Sequence, residues 1–161
     1  MTPILPILAA LLVAAHAQEA APPVAAEPGT WVPSAETLQV HQALSQRDPG
    51  DCTLVEGLTA TPVTTLLEVV EHATMPPWAP IRAAECLVRG HGAQVRVQML
   101  TWIRDPESRG LAAVVYRNID QLPPDLSVEM ATAALTGADP DRARRYFKMS
   151  TNPAIRDMAG K

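Results

Sequence analysis

The sequence predicts an all-α protein on the basis of two observations. Proline repeatedly follows a residue able to cap a helix, at Thr61-Pro62, Asp105-Pro106, Asp139-Pro140 and Asn152-Pro153. Proline suits the first helical position because it lacks an N–H that would be unsatisfied there, while the preceding side-chain oxygen can accept a hydrogen bond from the first turn. Between these starts, apolar residues recur every three or four positions, and no segment alternates like a half-buried strand.

The chain begins with a predicted export signal. An apolar stretch from Ile4 to Ala15 precedes Ala15-His16-Ala17, the small-x-small pattern that signal peptidases cleave, so we expect removal of residues 1–17. This stretch is too short to cross a bilayer, which needs about 20 apolar residues. The n-region lacks lysine and arginine, which leaves a retained membrane anchor as the alternative. We expect a periplasmic or secreted protein without a transmembrane segment once the signal is cleaved.

Residues 18–33 are rich in alanine and proline and predict an extended, mobile linker, at whose end Trp31 either stays free or docks. Residues 34–161 are long enough for one domain with a modest core. The formal net charge of −4 argues against a nucleic-acid partner.

We expect a disulfide between Cys52 and Cys86, because an even number of cysteines in an exported chain favours their pairing. Two buried free thiols are the alternative. The bond would join the first helices of the domain.

The first helices occupy residues 34–60. Ser34 with Thr37 predicts a helix through about Gln46, and the Asp48-Pro49-Gly50-Asp51 sequence ends it. A second short helix is expected from about Asp51 to Thr59.

The helix from Pro62 shows the clearest period. Val63, Leu66, Leu67 and Val70 predict its buried face, and Thr65 falls on the opposite, polar side. Further helices are expected to start near residues 77, 93, 106, 123 and 140. Their predicted apolar faces include Trp102 in the helix from about residue 93. The helix from Pro140 is expected to bury Ala143, Tyr146 and Phe147.

Consecutive starts lie 13 to 17 residues apart, so a two-helix unit recurs about every 30 residues. The segment from Pro80 to Leu87, with Ile81-Arg82 followed by small residues, resembles the second helix of a HEAT repeat. The segments from Asp105 and Asn152 are similar, and the one from Asp139 is a weaker variant. The resemblance covers residues 62–159 and implies a short right-handed α-solenoid, with residues 34–60 as an N-terminal cap. An irregular helical bundle is the alternative.

The resemblance also implies structural roles for four side chains. In HEAT-like repeats the turn acid and the following arginine help to hold successive repeats, which here points to Asp105, Arg82, Arg109 and Arg156.

No motif indicates catalysis, a cofactor or a metal. Glu68 and His72 share a helix face at i, i+4, a pairing that is more typical of a solvated surface than of a metal site. His91 stands between two glycines, where we expect an accessible, unpaired imidazole at the end of a helix.

Two surface features suggest binding. Arg142, Arg144 and Arg145 concentrate positive charge on one short helix, although a solvated face is the alternative. Trp78 lies in a first helical turn, where an exposed tryptophan is a candidate hot spot.

The sequence thus favours an exported, non-catalytic repeat protein that binds another protein in the bacterial cell envelope, as an adaptor or assembly factor. An enzyme or enzyme subunit of the lyase-associated HEAT-like type is one alternative, and a tethered structural spacer is another.

Overall fold

A computed structural model describes residues 31–48 and 50–160. In these residues the chain forms nine α-helices and two short 3₁₀ helices and no strand, which confirms the all-α prediction. The α-helices are α1 (Ala35–Ser45), α2 (Cys52–Glu56), α3 (Pro62–His72), α4 (Ala79–His91), α5 (Arg96–Arg104), α6 (Arg109–Arg117), α7 (Pro124–Leu135), α8 (Pro140–Phe147) and α9 (Pro153–Ala159), and the 3₁₀ helices are Pro106–Ser108 and Ile119–Gln121. The predicted signal peptide and the linker as far as residue 30 lie outside the described residues.

Three of the four predicted caps form. Asp139 accepts a hydrogen bond from the N–H of Arg142 at 3.1 Å, and Asp105 and Asn152 cap their own first turns in the same way. The prediction for Thr61 is wrong, because its side chain accepts no bond from the first turn of α3. The N–H of Thr61 instead donates to Thr59 Oγ1 at 3.1 Å, so Thr59 orders the loop before α3.

Helices that follow one another in the chain pack together: α3 against α4, α5 against α6, and α7 against α8. Helices α4, α6 and α8 also contact one another in succession, and α5, α7 and α9 do the same. Helix α1 covers α3 and α4, and α2 packs on α1. Every helix therefore buries one side against at least one neighbour.

One connected hydrophobic core runs from α1 to α9. Trp102 is buried with Val95, Met99 and Ile103 on one face of the α5 segment, as predicted. The buried face of α3 differs from the prediction, because Thr65 is only 4% exposed and Val69 is fully buried. Helix α3 contacts both α1 and α4, so two of its sides are covered rather than one.

The predicted pairing of the cysteines is confirmed at the level of distance. Cys52 and Cys86 lie at disulfide distance, with their Cα atoms 5.3 Å apart. Helix α2 has only five residues, too few to be stable alone in water. The bond therefore attaches α2 to α4.

None of the helices in the described residues combines the length and apolar character needed to cross a membrane.

Candidate binding surface

Helix α8 presents a mixed basic and apolar surface. Ala143 and Phe147 are fully buried and fix the inner face of the helix. On the outer side, Arg142, Arg145, Tyr146 and Met149 line an open concavity of about 200 Å³. Met149 is 76% exposed.

A second concavity, of about 360 Å³, adjoins the first. Tyr116, Arg117, Ile119 and Asp120 line it on the α6 side, and Tyr146, Met149 and Ser150 line it on the α8 side. The two concavities share Tyr146 and Met149, so they form one continuous surface. We call it the α6–α8 cleft, and its residues are Tyr116, Arg117, Ile119, Asp120, Arg142, Arg145, Tyr146, Met149 and Ser150.

The cleft is positively charged. In the described ranges, the guanidinium groups of Arg117, Arg142 and Arg145 form no hydrogen bond and no ion pair. Asp120, the one acid that lines the cleft, already accepts two hydrogen bonds. Ser150 Oγ donates to its Oδ1, and the N–H of Thr151 donates to its Oδ2 at 2.7 Å. Burial alone would raise the pKa of Asp120, but these hydrogen bonds outweigh burial and lower it.

Tyr116 forms the floor of the cleft. Its ring is 2% exposed and contacts Tyr146 and Phe147, with ring centroids 6.2 Å and 5.7 Å away. Among the described residues its hydroxyl has no hydrogen-bond partner. Burial raises the pKa of this phenol, so the group remains a neutral donor. A buried, unsatisfied donor destabilises a fold by about 1–3 kcal/mol.

Two of the three predicted arginines join the cleft. Arg144 does not, because its Nη1 lies 3.3 Å from Asp141 Oδ1 on the same helix. Trp78 also lies elsewhere: it is 46% exposed, and its indole N–H donates to the carbonyl of Ser45 at the end of α1 at 3.3 Å.

Sequence reasoning missed seven of the nine cleft residues, namely Tyr116, Arg117, Ile119, Asp120, Tyr146, Met149 and Ser150. Tyr146 was predicted to be core, but it is only partly buried. A signal was present, since Arg142 and Tyr146 stand at i, i+4 and therefore share a helix face.

At the N-terminal end of the domain, Trp31 docks. Its indole N–H donates to Glu68 Oε1 at 3.0 Å, and its ring contacts His41 and stacks on His72. Thr37 donates to the other Glu68 oxygen at 2.6 Å. The hydrogen bond from Thr37, and then that from Trp31, lowers the pKa of Glu68. We call these five residues the Trp31 cluster; Glu68 and His72 belong to it, whereas the sequence favoured a solvated surface for this pair.

Arg82 and Arg156 make structural contacts. Arg82 donates to the carbonyls of Leu44 at 2.9 Å and Arg47 at 3.1 Å, and also to that of Gln46, at the C-terminal end of α1. Arg156 donates to the carbonyls of Ser150 and Thr151.

Asp105 makes side-chain hydrogen bonds within the described residues, and Arg109 does not. The Asp105 carboxylate accepts bonds from the N–H of Glu107 and the hydroxyl of Ser108 within its own turn. Arg109 is exposed and makes no side-chain hydrogen bond to the described part of the chain, so its implied structural role has no contact to support it.

His91 is mostly buried, contrary to the expected accessibility. Its side chain is 17% exposed, and Nε2 lies 3.3 Å from Glu56 Oε1, although the geometry makes no hydrogen bond. Gly90 permits this approach, because a Cβ there would lie 3.2 Å from the same oxygen. Open concavities of about 250 Å³ and 270 Å³ lie on either side of His91.

No cluster of three histidine, cysteine or acidic side chains in residues 31–48 and 50–160 is arranged to hold a metal ion. Comparison of the chain with protein families, curated proteins and solved structures finds no match.

Proposed function

We propose that the protein is a non-catalytic, exported helical-repeat protein that binds another protein, as an adaptor or assembly factor in the bacterial cell envelope. The α6–α8 cleft carries this proposal. Exposed arginine, tyrosine and methionine side chains around a concave surface are the residue types enriched at protein interfaces. Trp78 provides a second, separate contact point.

The architecture proposed for this adaptor is a short right-handed HEAT-like α-solenoid over residues 62–159. The order of helix contacts supports it, because α4, α6 and α8 follow one another on one side and α5, α7 and α9 on the other. Stacked helix pairs bury a continuous core that no single pair can form alone. Residues 34–60 would cover the first pair, which is consistent with the contacts of α1.

Export is supported by two independent features. The Cys52–Cys86 pair at disulfide distance fits an oxidising compartment outside the cytoplasm. The predicted signal at residues 1–17 would deliver the chain there.

Affinity capture from chemically crosslinked cell envelopes tests this function. We expect the tagged wild-type protein to recover one partner protein in a reproducible, near-stoichiometric amount. Recovery of the protein alone contradicts the adaptor function. Recovery in the membrane fraction with an intact N-terminus favours a tethered spacer instead.

An enzymatic role is the second candidate, and the Glu56–His91 contact is the observation that favours it. A carboxylate beside an imidazole, flanked by two open concavities, is an arrangement that can support acid–base chemistry. The test is metabolite profiling of an envelope extract incubated with the wild-type protein or with His91→Gln. Turnover present only with the wild type would favour an enzyme.

A further inference from the structure

We propose that the α6–α8 cleft recognises a short, extended acidic segment of the partner protein, in which a carboxylate stands next to a large apolar side chain. This inference rests on the proposed adaptor function and adds the chemistry of what is bound.

The charge of the cleft selects an acidic segment. Arg117, Arg142 and Arg145 surround it without an acceptor in the described ranges, while the Asp120 carboxylate is held by Ser150 and Thr151. Guanidinium groups bind carboxylates through two parallel hydrogen bonds, a geometry that lysine does not offer. The chain as a whole is acidic, with a formal net charge of −4, so the charge of the cleft is opposite in sign to that of the whole chain.

The surface between the arginines selects an apolar side chain. Tyr146 and Met149 line both concavities, and Ile119 adds to the second. Methionine is flexible and polarisable, so it adapts to side chains of different shape. The ring of Tyr146 offers a rigid apolar face beside it.

The shape of the cleft favours an extended segment over a small molecule. Small-molecule pockets enclose about 300–1,000 Å³ and bury most of their ligand. Here the volume is divided between two shallow, adjoining concavities of about 200 Å³ and 360 Å³. Neighbouring side chains of one peptide can occupy them together.

The Tyr116 hydroxyl supplies an independent indication of the groups that the cleft recognises. Its hydroxyl is buried at the floor of the cleft and has no partner in the part of the chain that the structure describes. A carbonyl or carboxylate oxygen of the bound segment would accept this hydrogen bond.

The experiment is selection of a random 12-residue phage-displayed peptide library on the full exported protein with its disulfide formed. We expect the selected peptides to share a glutamate or aspartate beside leucine, phenylalanine or a similar residue. A fluorescein-labelled peptide of the selected sequence is then titrated by fluorescence polarisation. Arg145→Gln in the protein, or replacement of the peptide's glutamate by glutamine, removes one charged pair. Each change should weaken binding about tenfold.

Two further variants separate charge from contact area. Met149→Ser should weaken the peptide severalfold without changing its preference for an acidic residue. Arg47→Gln, at another exposed arginine near the end of α1, is the matched control and should bind like the wild type.

Several results would overturn the inference. These are no enriched peptide, enriched peptides without acidic residues, or equal affinity for wild type and Arg145→Gln. Binding to phosphatidylglycerol vesicles that persists in Met149→Ser would indicate a lipid surface, and concentration-dependent dimerisation lost in Arg145→Gln would indicate a second copy.

The two proposals fail in different ways. If the crosslinked partner is captured equally by wild type and Arg145→Gln, the adaptor function stands and the cleft is not its binding site. If the wild type captures no partner, the adaptor function itself is wrong.

Discussion

The two ends of the described domain use the same residue types in opposite ways. Near α1, the guanidinium of Arg82 donates to three carbonyls and the indole of Trp31 donates to Glu68. In the α6–α8 cleft, Arg145 has no acceptor in the described ranges and the hydroxyl of Tyr116 has no partner there. Both regions rest on the same continuous core.

This difference separates stability from recognition. A polar group satisfied within the chain contributes to folding, and removing it leaves its partners unpaired. A polar group left unsatisfied does not stabilise the fold, and it destabilises the fold when it is buried, as the Tyr116 hydroxyl is, but it can form a hydrogen bond with a ligand. The N-terminal region is therefore expected to respond to mutation through stability, and the cleft through binding.

The largest expected effect concerns the disulfide. Replacing Cys52 and Cys86 together by serine should lower the free energy of unfolding by about 3–4 kcal/mol, since the bond closes a long loop in the unfolded chain. Urea denaturation of the variant and of the wild type, the latter with and without reductant, measures this loss.

The affinity of the cleft for its selected peptide should stay unchanged in the same variant at a temperature where it remains folded. The cysteines lie on α2 and α4, outside the cleft. Equal denaturation midpoints for all forms would contradict a structural role for the bond.

The next largest expected effect is a difference in stability between variants of two arginines, Arg82 and Arg145. Arg82→Ala removes charged hydrogen bonds to the end of α1 and should cost about 2 kcal/mol of stability. Arg145→Ala removes a surface group and should stay within about 0.5 kcal/mol of the wild type. Urea denaturation of both variants checks the contrast, and a similar loss in the two would remove the distinction between the regions.

A comparison of two aromatic residues gives a smaller effect. Trp31→Phe loses the hydrogen bond to Glu68 and should destabilise the domain by about 1 kcal/mol. Tyr116→Phe removes a hydroxyl that has no partner in the described residues, so stability should be equal or up to about 1 kcal/mol higher. Thermal denaturation followed by circular dichroism compares the two, and a clear loss in Tyr116→Phe would reveal a partner for its hydroxyl.

Much of the fold was predictable because it depends on local sequence. The helix starts at Asp105, Asp139 and Asn152 follow from a cap next to proline, and the α5 face with Trp102 follows from its period. The burial of Thr65 was not predictable, since it arises because α1 packs on α3 from a distant part of the chain.

The candidate site was predictable only in part. Arg142 and Arg145 stood out as a local cluster of charge, but the contribution of Tyr116 and Arg117 depends on how α6 packs against α8. Arg144 and Arg145 are adjacent in sequence, and only the structure shows that Arg144 forms an ion pair with Asp141.

The smallest expected effect is a pH dependence in the Trp31 cluster. Hydrogen bonds from Thr37 and Trp31 lower the pKa of Glu68 below 4.5, so the folded state favours the carboxylate. The resulting stability is present above about pH 4.5 and is lost as the pH falls through the lower folded value. Glu68 is near the surface, so solvent screening keeps the contribution under about 1 kcal/mol.

Glu68→Gln isolates this carboxylate from His41 and His72, which also face Trp31. The variant should be slightly less stable than the wild type at pH 6, and the urea midpoints of the two should converge as the pH falls from 5 to 3. A constant difference between the two midpoints would mean that Glu68 contributes through shape and hydrogen bonding rather than through its charge. Trp31 would then remain docked in acid, and the two ends of the domain would differ in their contacts but not in their response to pH.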